Sequence, residues 1–95
     1  MGLPLIVGEF AAMGLECVAY IDYGAILDEC QRHSIGWLAW SWGQVDNGDC
    51  AEMSMTTDGT FGNWRDTSQG RWGEETVVTH ANSIQNTSVT PASLQ

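Results

Sequence analysis

The sequence contains no lysine and only three arginines, against twelve carboxylates, and its formal net charge is −9 over 95 residues. A chain this acidic repels phosphate groups, so we expect no nucleic-acid partner. It also repels anionic lipids, so we expect no binding to a membrane surface. A ligand of this protein is therefore expected to be neutral or cationic.

The sequence also lacks long hydrophobic runs. Its first apolar run, residues 3–7, is shorter than the roughly 7–15 apolar residues of a signal peptide and has no basic segment before it. No run approaches the roughly 20 apolar residues that cross a bilayer. We therefore expect neither a signal peptide nor a membrane-spanning helix in this sequence.

Metal-binding patterns are missing as well. The three cysteines form no Cys-x-x-Cys pair, the two histidines are far apart, and residues 46–49 lack the spacing and terminal glutamate of a calcium loop. We expect no metal and no organic cofactor. The cysteines allow one disulfide in an oxidising compartment, Cys17 with Cys50 or Cys17 with Cys30, or three reduced thiols.

The first half of the sequence predicts a strand, a helix and a second strand. Residues 3–7 form an apolar run typical of a strand buried on both faces, and residues 35–42 form another. Between them, Asp22 is a good N-cap for a helix that runs to about residue 33. The right-handed crossover rule makes the two strands parallel neighbours, so Glu9 and Trp40 are expected on one rim of the sheet.

The second half carries weaker signals. Asn47-Gly48 and Asp58-Gly59 predict turns, and the alternation over 51–56 predicts a short exposed strand. A final helix is predicted over 72–79. We therefore predict an α/β domain over residues 1–79, followed by an irregular segment over 80–95.

Three residues are candidates for chemistry. Glu9 follows an apolar strand and Gly8, and a carboxylate at a rigid strand end can act as a nucleophile on an anomeric carbon. The alternative is a capping or salt-bridged surface glutamate. Alternation along the second strand places Trp40 and Trp42 on one face. Indoles there can stack on sugar rings, and ordinary packing is the alternative.

Two segments together resemble family 5 glycoside hydrolases, especially endo-β-1,4-mannanases and related cellulases. They are residues 5–10, Leu-Ile-Val-Gly-Glu-Phe, and residues 35–43, Ile-Gly-Trp-Leu-Ala-Trp-Ser-Trp-Gly. The resemblance implies that they end the seventh and eighth strands of a TIM (β/α)8 barrel. It implies that Glu9 is the nucleophile and that Trp40, or secondarily Trp42, binds the sugar. The chain would then be the C-terminal part of that barrel, its last two βα units, and incomplete on its own.

The resemblance further implies a secreted, retaining parent enzyme that hydrolyses a β-1,4-linked polysaccharide such as mannan or cellulose without a cofactor. The first six strands, and the acid/base carboxyl at the end of the fourth, have no counterpart in this sequence. We therefore expect the isolated chain to be inactive and to self-associate. Two alternatives stay open: a non-catalytic carbohydrate-binding module, which predicts a complete small β fold, and an interaction fragment that needs partner strands.

Overall fold

The computed structural model describes residues 3, 5–14, 17–43 and 50–89. The chain begins with a βαβ unit made of strand β1 (Ile6–Phe10), helix α1 (Tyr23–Arg32) and strand β2 (Gly36–Ala39). The elements that follow are a 3₁₀ turn (Ala51–Met53), helix α2 (Trp72–Glu74), a wider π-helical turn continuous with it (Glu75–Thr79) and helix α3 (Ile84–Thr87). Within the described residues, no helix has the length and apolar character needed to cross a membrane.

The βαβ unit has the predicted connectivity. Strands β1 and β2 are parallel, and Ile6 pairs with Gly36. Helix α1 begins where the sequence predicted, because the side chain of Asp22 accepts a hydrogen bond from the Ala25 N–H at 3.0 Å. The face of α1 that carries Leu27 and Cys30 is buried. The predicted helix between two parallel strands is therefore confirmed.

The strands differ from the prediction in their bounds and their burial. Strand β1 covers residues 6–10 rather than 3–7, and β2 ends before Trp40. Only one face of the sheet is packed: Ile6 remains 61% exposed and Leu38 56% exposed. A two-stranded sheet with one crossover helix has only one face covered. The burial on both faces that the apolar runs indicate is therefore not reached within this chain, whose other sheet face stays uncovered.

The core lies between the sheet, α1 and the C-terminal half. Trp72 is completely buried, its ring contacts that of Tyr23 at 5.9 Å between centroids, and its indole N–H donates to the Glu52 carbonyl at 2.9 Å. Gly73 packs so closely on Met55 that a Cβ at this position would lie 2.5 Å from the Met55 Cβ. The final helix predicted over 72–79 is thus confirmed in extent, as an α-helical turn followed by a π-helical one.

Two local predictions are wrong. Residues 51–56 do not form an exposed strand: they begin with the 3₁₀ turn, and residues 53–56 are buried. Their backbone pairs with the segment after β2, where Ser41 N–H donates to the Met53 carbonyl at 2.9 Å. The segment from residue 80 is not wholly irregular either, because Ser83 caps α3 by accepting from the Asn86 N–H. The turn predicted at Asn47-Gly48 lies outside the described residues.

The cysteines resolve the alternatives left by the sequence. Cys17 and Cys50 form a disulfide across 33 residues, and Cys30 is a buried free thiol. The disulfide joins the segment after β1 to the segment that precedes the 3₁₀ turn. In the sequence Cys17 follows β1 and Cys50 follows β2, so the bond links the parts of the chain that come after the two strands.

Candidate functional site

The carboxyl ends of β1 and β2 form one rim, which we call the strand-end rim (residues 9, 10 and 40–42). Because the strands are parallel, Glu9 near the end of β1 lies at the same end of the sheet as Trp40, which directly follows β2. The Trp40 N–H donates to the Phe10 carbonyl at 2.7 Å, which joins the two strand ends. Glu9 is exposed and Trp40 is 39% exposed. The sequence prediction that these two residues share a rim is confirmed.

A β-bulge lies at Glu9. Val7 pairs with Trp37 and Phe10 with Ala39, so that Gly8 and Glu9 together lie opposite Leu38 alone. A bulge of this kind bends its strand and changes the direction of a side chain. A Cβ built at Gly8 would meet no atom within 4 Å, so the space beside the strand is open there.

The carboxylate of Glu9 has no protein partner among the described residues. Two of the three arginines form ion pairs elsewhere, Arg32 with Glu29 and Arg71 with Asp66, each at 2.8 Å. No side-chain hydrogen bond or ion pair joins the Glu9 carboxylate to a residue of the described segments. Its oxygens are therefore open to a ligand that approaches the rim.

The two tryptophans predicted to contact a ligand have different surroundings. Both are 39% exposed. Ser41 between them is buried, as the predicted alternation requires. Trp42 stacks near-parallel on Phe61, with 6.4 Å between centroids and 24° between planes, and meets the edge of Trp64 at 5.8 Å. Its indole N–H donates to the Gly59 carbonyl at 2.6 Å. Trp42 is thus one member of an aromatic cluster with Phe61 and Trp64, which the sequence analysis did not identify.

Hydrogen bonds hold residues 56–64, the loop that carries Phe61 and Trp64. The Thr56 hydroxyl donates to the Trp42 carbonyl at 2.6 Å and accepts from the Gly59 N–H at 2.8 Å. Asp58 accepts from the Thr60 N–H and from the Asn63 side-chain amide, each at 2.9 Å. These two hydrogen bonds, with that from Thr60 the larger effect, hold the pKa of the Asp58 carboxyl below its usual value. The loop is therefore hydrogen-bonded to Trp42, the residue on which its Phe61 ring stacks.

A second group of contacts ties the part of the chain that follows β1 to the C-terminal half. The Tyr23 hydroxyl donates to Glu75 Oε2 at 2.8 Å, and burial together with this carboxylate raises the pKa of Tyr23 well above its usual range. The side-chain amide of Gln69 donates to the carbonyl of Ala12. Ala12 lies three residues after Glu9 in the sequence, so this contact fixes the path of the chain as it leaves the rim.

The described residues supply no obvious second carboxylate for the rim. Four acids, Glu16, Asp46, Asp49 and Glu52, could reach the rim from the segments that follow the strands, and Glu52 among them is engaged by Ser68, whose N–H and hydroxyl donate to it at 3.0 and 2.7 Å. The others, Glu16, Asp46 and Asp49, lie outside the described residues. Nor do the described segments contain a cluster of His, Cys, Asp and Glu side chains that could hold a metal ion.

Comparison with known proteins gives one informative similarity. No family model matches the chain. The chain is 36% identical over 88 residues to a mannan endo-1,4-beta-mannosidase from Cellvibrio japonicus (strain Ueda107). The aligned region is 93% of this chain but 18% of that protein, so the chain spans less than a fifth of its relative's length. The similarity is consistent with a fragment of a glycoside hydrolase.

Proposed function

We propose that this chain is the part of a retaining β-mannan hydrolase that carries the catalytic nucleophile, Glu9, and a sugar platform, Trp40. One observation carries the proposal. An exposed carboxylate with no side-chain partner among the described residues and an exposed indole share the carboxyl end of two parallel strands, in a chain that is 36% identical to part of a mannan endo-1,4-beta-mannosidase. Mannan is preferred to cellulose as the substrate because the relative is named for mannan.

The proposed parent is a family 5 glycoside hydrolase with a TIM barrel, of which this chain forms the last two βα units. The parallel pair β1 and β2 with the crossover helix α1 is the repeating unit of such a barrel. Active sites of TIM barrels lie at the carboxyl ends of the strands, where Glu9 and Trp40 stand. Ile6 and Leu38 are exposed on the uncovered face of the sheet. This agrees with a barrel, in which the inward face of each strand packs on interior side chains from the other strands.

The reaction we propose begins with attack of a Glu9 oxygen on the anomeric carbon of the sugar. The glycosidic bond breaks as a second carboxylic acid protonates the leaving oxygen, which leaves a glycosyl ester on Glu9. The same second group then takes a proton from water, and the hydroxide attacks the anomeric carbon and frees Glu9. That second group must stand about 5–5.5 Å from Glu9, and we propose that another part of the parent enzyme supplies it, because the described residues place no free carboxylate beside Glu9.

Trp40 would hold the sugar during this attack. Sugar rings present C–H faces that lie flat on an indole, and aromatic contacts of this kind fix orientation at small entropic cost. The backbone bond from Trp40 to Phe10 would keep the platform aligned with the strand that carries Glu9. Secretion of the parent fits the disulfide between Cys17 and Cys50, since such bonds persist in oxidising compartments.

The carbohydrate-binding module is the weaker alternative. That reading expects a complete small β fold, whereas the described residues contain a single two-stranded parallel sheet. The second alternative is an interaction fragment that pairs with partner strands and has no catalytic residue. This alternative predicts no role for the carboxylate of Glu9. The two are separated by an experiment on that carboxylate.

The test is a chimera. The aligned segment of the Cellvibrio japonicus mannosidase is replaced by this chain, and hydrolysis of mannan is measured for the chimera and for its Glu9→Gln variant. The Gln variant is expected to lose several orders of magnitude in kcat/KM, as when a nucleophile is removed. Glu29→Gln, an exposed glutamate of α1, serves as the control and is expected to leave the rate unchanged.

A second measurement identifies the nucleophile directly. The reagent is a mannosyl fluoride with a second fluorine on the carbon next to the anomeric carbon. It forms a glycosyl ester with the nucleophile that is hydrolysed slowly. Mass spectrometry of the digested chimera is expected to find this sugar attached to Glu9. An active chimera whose rate is unaffected by Glu9→Gln, or whose label lies on another residue, would overturn the proposal.

A further inference from the structure

The aromatic cluster of Trp42, Phe61 and Trp64 has an open ring face. Phe61 lies almost parallel to Trp42 and meets Trp64 edge-on, with 5.2 Å between centroids and 71° between planes. Yet Phe61 is 63% exposed. Because Trp42 and Trp64 account for one face and one edge, the exposed area is the opposite face of the phenyl ring.

Packing alone explains this arrangement poorly. A side chain that stays 63% exposed gains little from the hydrophobic effect, which scales with the area removed from water. The loop nevertheless holds the ring in place through the contacts of Thr56, Asp58 and Asn63. A ring that is fixed and still open to solvent has already lost the freedom that binding would otherwise remove, which favours ligand binding.

The cluster is also close to the strand-end rim. Trp42 lies two residues after Trp40, so their Cα atoms are at most about 7 Å apart. The loop that carries Phe61 is bonded to Trp42 itself, through the Thr56 hydroxyl and the Gly59 carbonyl. A chain of linked sugars that lies on Trp40 therefore has this cluster within reach of a neighbouring sugar.

The polar groups beside the cluster fit a neutral glycan. Asp58, Thr60 and Asn63 are all exposed, and their carboxylate, hydroxyl and amide groups are the types that hydrogen-bond sugar hydroxyls. No arginine belongs to the loop 56–64. The charged group within this loop is the Asp58 carboxylate, so the platform suits an uncharged polysaccharide better than an anionic one.

We infer that the outer face of Phe61, supported by Trp42 and Trp64, is a second sugar platform that binds the same polysaccharide next to the site at Trp40. The identity of the sugar rests on the proposed function, while the platform itself rests on the aromatic cluster. This inference gives Trp42 a supporting role: it holds Phe61 rather than contacting the substrate with its own face.

The test is affinity electrophoresis in native gels that contain soluble galactomannan, with the 95-residue chain and with the chimera described above. Phe61→Ala is expected to raise the dissociation constant for galactomannan about three- to tenfold, the factor that corresponds to one aromatic contact. Phe61→Trp keeps an aromatic ring at this position and is expected to bind as the wild type does. Val89→Ala, another exposed apolar residue, is the control and is expected to migrate as the wild type. Near-ultraviolet dichroism checks that the remaining aromatic cluster is intact.

The outcomes separate this inference from the proposed function. If Phe61→Ala migrates as the wild type while Glu9→Gln abolishes hydrolysis, the platform is overturned and the function stands. If Phe61→Ala weakens retardation while Glu9→Gln leaves hydrolysis intact, the platform stands and the function fails. Absence of retardation of the wild-type chimera by galactomannan also overturns the platform.

Discussion

The uncovered face of the sheet makes a quantitative prediction about the isolated chain. Ile6 on β1 and Leu38 on β2 remain 61% and 56% exposed. Full burial of such a side chain is worth about 1.5–3 kcal/mol, so each still stands to gain about 1–2 kcal/mol from a partner. We therefore expect the purified chain to self-associate through this face, since a second copy is the partner available to it.

The perturbation is the double variant Ile6→Thr and Leu38→Thr, which places β-branched residues, favoured in strands, at both positions. In a symmetric dimer each copy contributes both side chains. Even with incomplete burial and the methyl group of threonine retained, association should weaken by about 3 kcal/mol, roughly a hundredfold in dissociation constant. Val18→Thr with Val89→Thr is the matched control, because these residues are 79% and 84% exposed and lie outside the sheet.

Sedimentation velocity over a range of concentrations measures the effect, with near-ultraviolet dichroism to follow packing of the tryptophans. The reasoning is refuted if the wild-type chain is a monodisperse monomer with a sharp, cooperative melt. It is also refuted if the sheet variant and the control variant associate equally, because the interface would then lie elsewhere.

Three further outcomes are expected. The isolated chain should not hydrolyse mannan or carboxymethyl cellulose, because loss of an acid/base group alone costs about 10²–10⁴ in rate; release of reducing sugar that Glu9→Gln abolishes would contradict this. Replacing Cys17 and Cys50 by serine should lower the free energy of unfolding of the chimera by roughly 3–4 kcal/mol, since the disulfide closes a loop across 33 residues. An unchanged denaturation midpoint would count against this expectation. Cys30→Ser is the control, because it leaves the disulfide intact. The pKa of Asp58 is lowered in the folded chain. Its support of the loop 56–64 is therefore present above the unfolded pKa of about 3.9 and is lost as pH falls through the folded pKa. Acid titration followed by tryptophan fluorescence should show a step that Asp58→Asn removes.

Local signals predicted the βαβ unit because they act within a few residues. The Asp22 side chain accepts from one N–H of the helix that follows it, that of Ala25, so it marks the start of α1 without reference to the rest of the fold. The parallel pairing follows from the crossover rule once two strands and a helix are recognised. The shared rim of Glu9 and Trp40 follows from that pairing in turn.

The features that sequence analysis missed depend on contacts between distant segments. The bulge at Gly8 and Glu9 is defined by the residue opposite, Leu38, and nothing within β1 specifies it. The alternation over 51–56 suggested an exposed strand because Ser54 and Thr56 are polar. Both are buried, and the Thr56 hydroxyl is satisfied by the Trp42 carbonyl, a partner that the local pattern does not contain.

The aromatic cluster was missed for a related reason. Phe61 follows the turn at Asp58-Gly59, and a lone aromatic in a turn carries no periodic signal. Its meaning depends on Trp42, which is nineteen positions earlier in the chain, and on the hydrogen bond from that indole to Gly59. The presence of an aromatic residue directly after a turn, together with Trp64, is the signal that could have identified the cluster.

The described residues contain contacts that fix the strand-end rim, and they leave the open face of the sheet uncovered. The disulfide, the bond from Trp40 to Phe10 and the amide of Gln69 on Ala12 all act at the carboxyl ends of the strands. By contrast, Ile6 and Leu38 on the open face have side chains that remain mostly exposed. Partner strands should therefore stabilise the sheet by burying apolar surface without having to form the rim. Under the proposed function, partner strands produce an active enzyme only when they also carry the acid/base carboxyl group. A partner segment that lacks this group should stabilise the chain and leave it inactive.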